Sequence, residues 1–412
     1  MNIWLIQIAE PLPIAIGVRK MRTALLADKL TGKGHDVLWW TSAFDHFKKK
    51  WIFRTDTELN VRNSFNIKAL KGAGYKKNIS FSRFVDHRII ARKFRRLAPE
   101  MPKPDIIITS MPPHNLAFEV VMFAKDNNIP VLVDIRDEWP DLFLNYVPPR
   151  LQRFVKMALF REFSIIKKTM QSADGLIAMM NPLLEWGLNY AKRDKTWRDR
   201  VFYLGHKRGI CCTNNPDKMP KLVEDIRDRF VITFIGAFSH NNNPSILIDC
   251  AKELIDENIC FVLAGDGDLF AEIKKKSSDL PNMILPGWLE QSEINTLLEY
   301  SDVGVCPTTR VRNAFPNKAF MYLSAGLPIL SAWQGDLKKI IEEYQIGFYC
   351  PPNDVDALVN SIKKLYEDQE LHRTMSNNAL RVFDELFDAD KIYNEYADHI
   401  EKIASGHRKR RL

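Results

Sequence analysis

One repeated pattern constrains this chain more than any other feature: short apolar runs that end in turn residues and lead into helix-forming stretches. It is clearest over residues 261–330. There Phe261-Val262-Leu263-Ala264-Gly265 runs into Asp266-Gly267-Asp268 and then a helical pattern. A second run ends at Gly287-Trp288-Leu289, a third precedes Pro307, and residues 317–325 read as a helix stopped by Gly326 before another strand. Apolar runs without polar alternation suit strands buried on both faces, so the pattern predicts a parallel sheet covered by helices. In such sheets the loops at the carboxyl ends of the strands gather along one edge, and ligands bind there.

The same alternation opens the chain. Residues 2–8 read as a strand, 19–30 as a helix with Met21, Leu25, Leu26 and Leu30 on one side, and 36–40 as a second strand. Further strands are expected at 106–109, 131–133 and 175–178, while 41–104 reads as irregular and basic. Val231 to Gly236 starts the pattern again. Between Lys192 and Pro220 the chain is polar and broken by Gly205, Gly209, Asn214, Asn215 and Pro216. We therefore expect a boundary near Lys207, with domains at 1–206 and 207–389. Amphipathic helices at 355–368 and about 391–404 follow.

A chain of 412 residues has room for two such domains, and 46% hydrophobic with 27% charged residues is a globular composition. No apolar run reaches the ~20 residues needed to span a bilayer, and no leader pattern is read at Met1. Six cysteines, with Cys211 and Cys212 adjacent, show neither metal spacing nor a disulfide framework, so a reducing cytoplasm is expected and no metal. Charge is distributed unevenly. Residues 1–206 carry 34 Lys+Arg against 20 Asp+Glu, a net +14; the rest carries 25 against 31, a net −6. The excess concentrates in residues 83–96 and 150–168, where apolar residues recur at helical spacing between basic ones. Such stretches are either ordinary amphipathic helices or helices that lie on an anionic membrane; the one-sided charge favours the membrane, peripherally and from the cytoplasmic side. No nucleic-acid-binding module is present, so no nucleic-acid partner is expected.

Four loops carry candidate chemistry. Glu10 to Gly17 sits where a dinucleotide fingerprint would sit, yet has one glycine and two prolines, which argues against an NAD or FAD enzyme. Arg19 and Arg22 oppose the dipole of the helix they open, as they would if a phosphate approached or if the helix end were merely solvated. After the strand expected at 131–133, residues 134–141 crowd five charges beside Trp139; Arg136 and Asp137 are site candidates, a structural Arg136–Asp salt bridge being the alternative, and His114 could face the same crevice. In the second half, Gly236 to His240 forms a tight turn before a helix whose start could hold phosphate. Asn317 reads as a helix cap, placing Lys318 in the first turn, where only a bound anion makes a cation favourable; Arg310 and Arg312 add charge just upstream.

Taken together these segments resemble the family 4 glycosyltransferases of GT-B type used in bacterial surface-polysaccharide assembly. The carriers are the loop to Gly17 with residues 22–30 and 33–37, Trp39 to His46 (WWTSAFDH), Ser110 to Pro113 and Asp134 to Pro140 (DIRDEWP). Ala264 to Gly267, Phe315 to Lys318 and Tyr322 to Pro328 continue it. The resemblance implies an α/β fold of two Rossmann-like, doubly wound parallel-sheet domains facing a central cleft, with a C-terminal helix (390–412) packing back on the first. It implies retaining, metal-independent and cofactor-free transfer from a nucleotide-sugar donor to a lipid-linked or glycan acceptor. Donor contacts would come from Gly236, His240, Gly265, Trp288, Leu289, Arg310, Arg312, Asn317 and Lys318; the acceptor side from Gly17, Arg19 and Arg22; positioning from Asp137, Arg136 and His114. The chain departs from the family where two glutamates are usual: Asn313 and Met321 stand there. The basic pair usual after the second domain's first strand is replaced by His240 and Asn241 to Asn243. A catalytically silent, partner-binding scaffold is therefore the alternative reading; a nucleotide-sugar 2-epimerase is another, but leaves the basic first half unexplained.

Overall fold

The computed structural model describes residues 1–15, 18–144, 147–208, 219–240, 242–311 and 313–408. Gly17, Arg312, Asn241 and most of the expected linker, residues 209–218, lie outside the described residues. The chain divides into two compact units, Met1–Tyr203 with Lys391–Leu412, and Leu204–Asp390.

The first unit holds strands β1 (Asn2–Ile6), β2 (Asp36–Ser42), β3 (Phe44–Asp45), β4 (Lys50–Trp51), β5 (Thr57–Arg62), β6 (Phe65–Leu70), β7 (Ile106–Met111), β8 (Val131–Ile135), β9 (Gly175–Ala178) and β10 (Arg200–Val201). Eight of them form one sheet in the order β10-β9-β8-β7-β1-β2-β6-β5, while β3 and β4 make a small antiparallel ribbon. Every pairing in the large sheet is parallel except β5 on β6. Every residue of β7 and β8 is buried, as the uninterrupted apolar runs require. Trp4 and Trp40 on neighbouring strands pack at 5.3 Å, and Trp4 stacks on Phe123 at 5.7 Å, so the core of this unit is aromatic.

Residues 41–104 are more regular than the sequence suggested. The β5–β6 hairpin turns through Ser64, at φ +61°, and ends the sheet, its β5 alternating between half-buried and exposed. The helix Phe81–Leu97 follows, capped by Ser80, whose hydroxyl accepts from the Arg83 N–H at 3.3 Å. Its inner face, Ile90, Ala91 and Phe94, is in the core. The helix Ala389–Arg408 crosses into this unit and buries Tyr393, Tyr396, Ile400 and Ile403. Tyr396 lies flat on Phe202 at 4.5 Å.

The second unit is wholly parallel: β11 (Phe230–Ile235), β12 (Ile259–Ala264), β13 (Met283–Gly287), β14 (Val303–Cys306), β15 (Ile329–Ser331) and β16 (Gly347–Tyr349), ordered β13-β12-β11-β14-β15-β16. Both sheets are doubly wound. The strand order reverses between β1 and β7 in the first unit and between β11 and β14 in the second, and at each reversal two loops diverge and leave a crevice. Tyr322 locks the helix Asn317–Ser324 under the second reversal. Its ring fills the space a side chain at Gly304 would need, and its hydroxyl accepts from the Ile235 N–H at 2.8 Å.

Candidate functional site

At the carboxyl edge of the second sheet, three strand ends meet with almost no side chain between them. Gly236 donates its N–H to Ala264 O at 3.0 Å, and Gly265 donates to Gly287 O at 2.8 Å. Gly265 has φ +143°, and a Cβ there would overlap the Gly236 carbonyl, so only glycine allows the approach. Gly236 itself has φ +150°, and a Cβ on it would sit 3.1 Å from Lys318 Nζ. The ammonium thus occupies the space beside the Gly236 backbone.

Lys318 is the most informative side chain of this edge. Part of its stem reaches the surface, but Nζ is buried, lies 3.7 Å from the Phe234 ring centroid and has no hydrogen-bond partner. Burial pushes its pKa down to about 8, weakly opposed by the buried Cys306 thiol. A desolvated cation without a counter-ion is costly, and the ring face offsets only part of that cost. It sits in the first turn of Asn317–Ser324, where backbone N–H groups and the helix dipole also favour an anion. Pro316, extended at ψ 133°, rather than Asn317 takes the cap position; Asn317 is the first helical residue and makes no capping bond.

The remaining donor-side candidates divide. His240 and Arg310 are exposed, and Thr309 Oγ1 donates to the His240 carbonyl at 3.5 Å, which holds the loops after β11 and β14 together. Trp288 is 63% exposed beside Gly287, whereas the Leu289 side chain is buried in the unit and offers only its backbone. Phe234 and Cys306, which lie beside the Lys318 ammonium, were not singled out from sequence because each reads as ordinary core.

In the first unit the charged loop after β8 is largely a structural network. Arg22 donates to both Asp134 oxygens, at 2.9 and 3.0 Å, and to the Phe202 carbonyl at 2.7 Å. Arg136 bonds Asp134 at 3.2 Å, the Thr23 hydroxyl at 3.0 Å and the Glu10 carboxylate. Glu10 in turn accepts from the Thr23 N–H at 2.9 Å, satisfying the start of the helix Arg22–Gly32. Burial works to raise the Asp134 pKa, but Arg22 and Arg136 outweigh it and hold the group ionised below the usual carboxylate range. Arg22 is 2% exposed, and its anion is Asp134, not an approaching phosphate. Arg136 is likewise held in salt bridges, with Glu10 and Asp134, so both guanidinium groups already have protein counter-ions. Arg19 precedes the helix and is exposed.

His114 and Asp137 stand apart from that network. His114 opens the helix His114–Asp126; its Nε2 pairs with Glu162, which also accepts from Arg88 at 2.8 Å, and the His114 bond holds the Glu162 pKa down at about 2. Its Nδ1 is buried without a partner. Asp137 is half-buried and accepts from the Glu138 N–H at 2.9 Å; burial raises its pKa, with that bond, Trp139 and Arg83 opposing. Arg83 lies 4.6 Å over the Trp139 ring with a buried, unpartnered Nε. His46 Nδ1 meets the Tyr75 hydroxyl at 2.6 Å, and burial, then Lys49 and Arg83, lower the His46 pKa to about 4. His46, Tyr75 and Arg83 come from segments too far apart in sequence to be associated by spacing.

Residues 218–382 match the family described as "Glycosyl transferases group 1". Among curated proteins, the chain is 28% identical over 199 residues to the Escherichia coli UDP-Gal:alpha-D-GlcNAc-diphosphoundecaprenol alpha-1,3-galactosyltransferase, covering 45% of this chain and 50% of that one. It is 27% identical over 178 residues to the E. coli O-antigen chain mannosyltransferase C, covering 42% and 47%. The chain thus matches about half the length of these relatives. Of solved structures, Anabaena HepE in complex with UDP superposes with a TM-score of 0.67 at 16% identity over 97% of this chain and 99% of that one. Sucrose-phosphate synthase from Thermosynechococcus elongatus does so with a TM-score of 0.73 at 16% identity over 98% and 99%. The two doubly wound sheets thus share the GT-B fold of these structures, and the second unit matches the group 1 glycosyl transferase family and resembles bacterial surface-polysaccharide transferases over about half their length.

Proposed function

We propose that this protein moves a sugar from a nucleotide-sugar donor to a lipid-linked or membrane-presented glycan in cell-surface polysaccharide synthesis, retaining anomeric configuration without a metal. It would work at the cytoplasmic face of an anionic membrane. The carrying observation is the buried, unpartnered Lys318 ammonium beside a glycine-only crevice. A leaving diphosphate would find there a fixed cation and N–H dipoles, aimed where negative charge develops and at no reorganisation cost. Relatives that act on an undecaprenol-linked sugar and on O-antigen support the acceptor class. In the first unit, Asp137 and His114 are the groups left to orient sugar and acceptor; Arg22, Arg136, Asp134 and Glu10 set the shape around them.

Met321 and Asn313 favour a second reading. Met321 is half-buried and Asn313 exposed, and neither side chain offers the carboxylate that would hold ribose hydroxyls. A silent scaffold would still bind nucleotide. Incubating the purified protein with a panel of nucleotide sugars separates the two: release of nucleoside diphosphate from at least one donor supports transfer. Tight binding with no turnover, with or without glycan-lipid acceptor, supports the scaffold.

A further inference from the structure

Two basic amphipathic stretches of the first unit look alike in sequence and differ in the fold. The helix Phe81–Leu97 spends its apolar face on the core, as does Phe160–Ser172 through Ile166 and Met170. Between them in sequence, the helix Pro149–Ala158 has no buried residue at all. Its apolar residues Leu151, Phe154, Val155 and Ala158 recur at the i, i+3, i+4, i+7 spacing of a core-facing stripe. Yet Leu151 is 51% exposed, Phe154 65%, Met157 67% and Phe160 73%. A row of large apolar side chains held in water marks an interaction surface. Arg150, Arg153, Lys156 and Arg161 interleave with them, and no acidic residue occurs between Asp141 and Glu162. Phe143, just before this helix, packs with Trp139 on Phe84 at 6.1 Å each, and Phe81, one turn before Phe84, is exposed.

We propose that the helix Pro149–Ala158, extended by Phe160, is the element that enters an anionic bilayer. It would lie in the interface plane, with Leu151, Phe154, Met157 and Phe160 among the acyl chains and its Arg and Lys at the lipid phosphates. The charge pattern selects the occupant: apolar and basic residues alternate along one short helix, which suits a surface that is anionic outside and apolar beneath. This deepens the membrane part of the proposed function and rests on it alone. Association then has an apolar component that salt does not screen, beside an electrostatic one that it does.

The test is co-sedimentation of the full chain with vesicles of phosphatidylcholine alone or mixed with phosphatidylglycerol, at low and high salt. Wild type should partition onto the anionic vesicles and retain a measurable fraction at high salt. The combined variant Phe154→Ser, Met157→Ser, Phe160→Ser should partition about tenfold more weakly or worse at every salt concentration. Its unfolding temperature should stay within about 2 °C, since the substituted side chains are exposed. Arg150→Gln, Arg153→Gln and Lys156→Gln together should instead remove most of the salt dependence and leave the salt-resistant fraction. Partitioning of the apolar variant equal to wild type overturns the assignment. So does a sharp fall in its unfolding temperature, which would mean the face packs on protein, or its conversion of a wild-type dimer to monomer with vesicle binding unchanged. Because partitioning is the readout, a protein that transfers no sugar leaves this test intact.

Discussion

Lys318 is where sequence and structure agree most usefully at the scale of single residues. A cation in the first turn of a helix opposes the dipole, and that mismatch is visible without coordinates. The fold adds burial, the Phe234 face and the missing partner. Its lowered pKa has a defined consequence. The folded value, about 8, lies below the ordinary 10.5, so the unfolded chain binds the extra proton between them and this group's contribution to stability rises with pH through that window. A bound anion favours the charged form, so anion affinity should fall as pH rises above about 8, and binding there should take up protons. Calorimetry at pH 8.5 in buffers of different ionisation enthalpy measures that uptake; none would place the anion elsewhere. The network around Asp134 was not legible in the same way. The crowd of charges was evident, but Arg22 is 112 residues from its partner, and spacing cannot say which charges face each other. Asp134→Asn leaves Arg22 without its buried counter-ion and should cost about 3–5 kcal/mol in chemical denaturation. Asp137→Asn should cut sugar transfer sharply while stability stays within about 1 kcal/mol; a large stability loss with normal specific activity would make Asp137 another structural anion.

Elements were legible in proportion to how completely they are buried. β7, β8, β11 and β12 are buried along their whole length and were found as apolar runs. The β5–β6 hairpin was not, because β5 is an edge strand half open to water and β6 carries Asn66 and Lys68 between its apolar residues. The basic helices show the limit from the other side: apolar periodicity states that a face exists, not what covers it. The glycine crossing of β11 and β12 is an element-scale constraint with a clear test. Gly265→Ala drives a Cβ into the Gly236 carbonyl at φ +143°, and the second unit should lose about 2–4 kcal/mol. An unchanged denaturation midpoint would mean that these strand ends separate freely.

The whole chain is two doubly wound units of opposite charge character: counting gives +14 before residue 207 and −6 after it, and with residues 391–412, net +3, assigned to the first unit the two carry +17 and −9. The return of the final helix to the first unit was not legible from its own amphipathic pattern and entered as an implication of the family resemblance. Removing residues 391–412 strips Tyr393, Tyr396, Ile400 and Ile403 from the first unit, on the order of 6–10 kcal/mol of apolar burial, comparable to the stability of a whole domain. Limited proteolysis of that deletion should digest residues 1–203 while 219–390 survive; a resistant first unit would contradict the packing. The central claim, that the second unit holds a nucleotide-sugar donor by its diphosphate at Lys318, is tested most directly by calorimetric titration of wild type and Lys318→Ala with a panel of nucleoside diphosphates. The account predicts one saturable site for at least one of them and a loss of about 1.5–3 kcal/mol of binding in the variant. Equal affinity of the two proteins, or no binding of any nucleoside diphosphate to wild type, would contradict it.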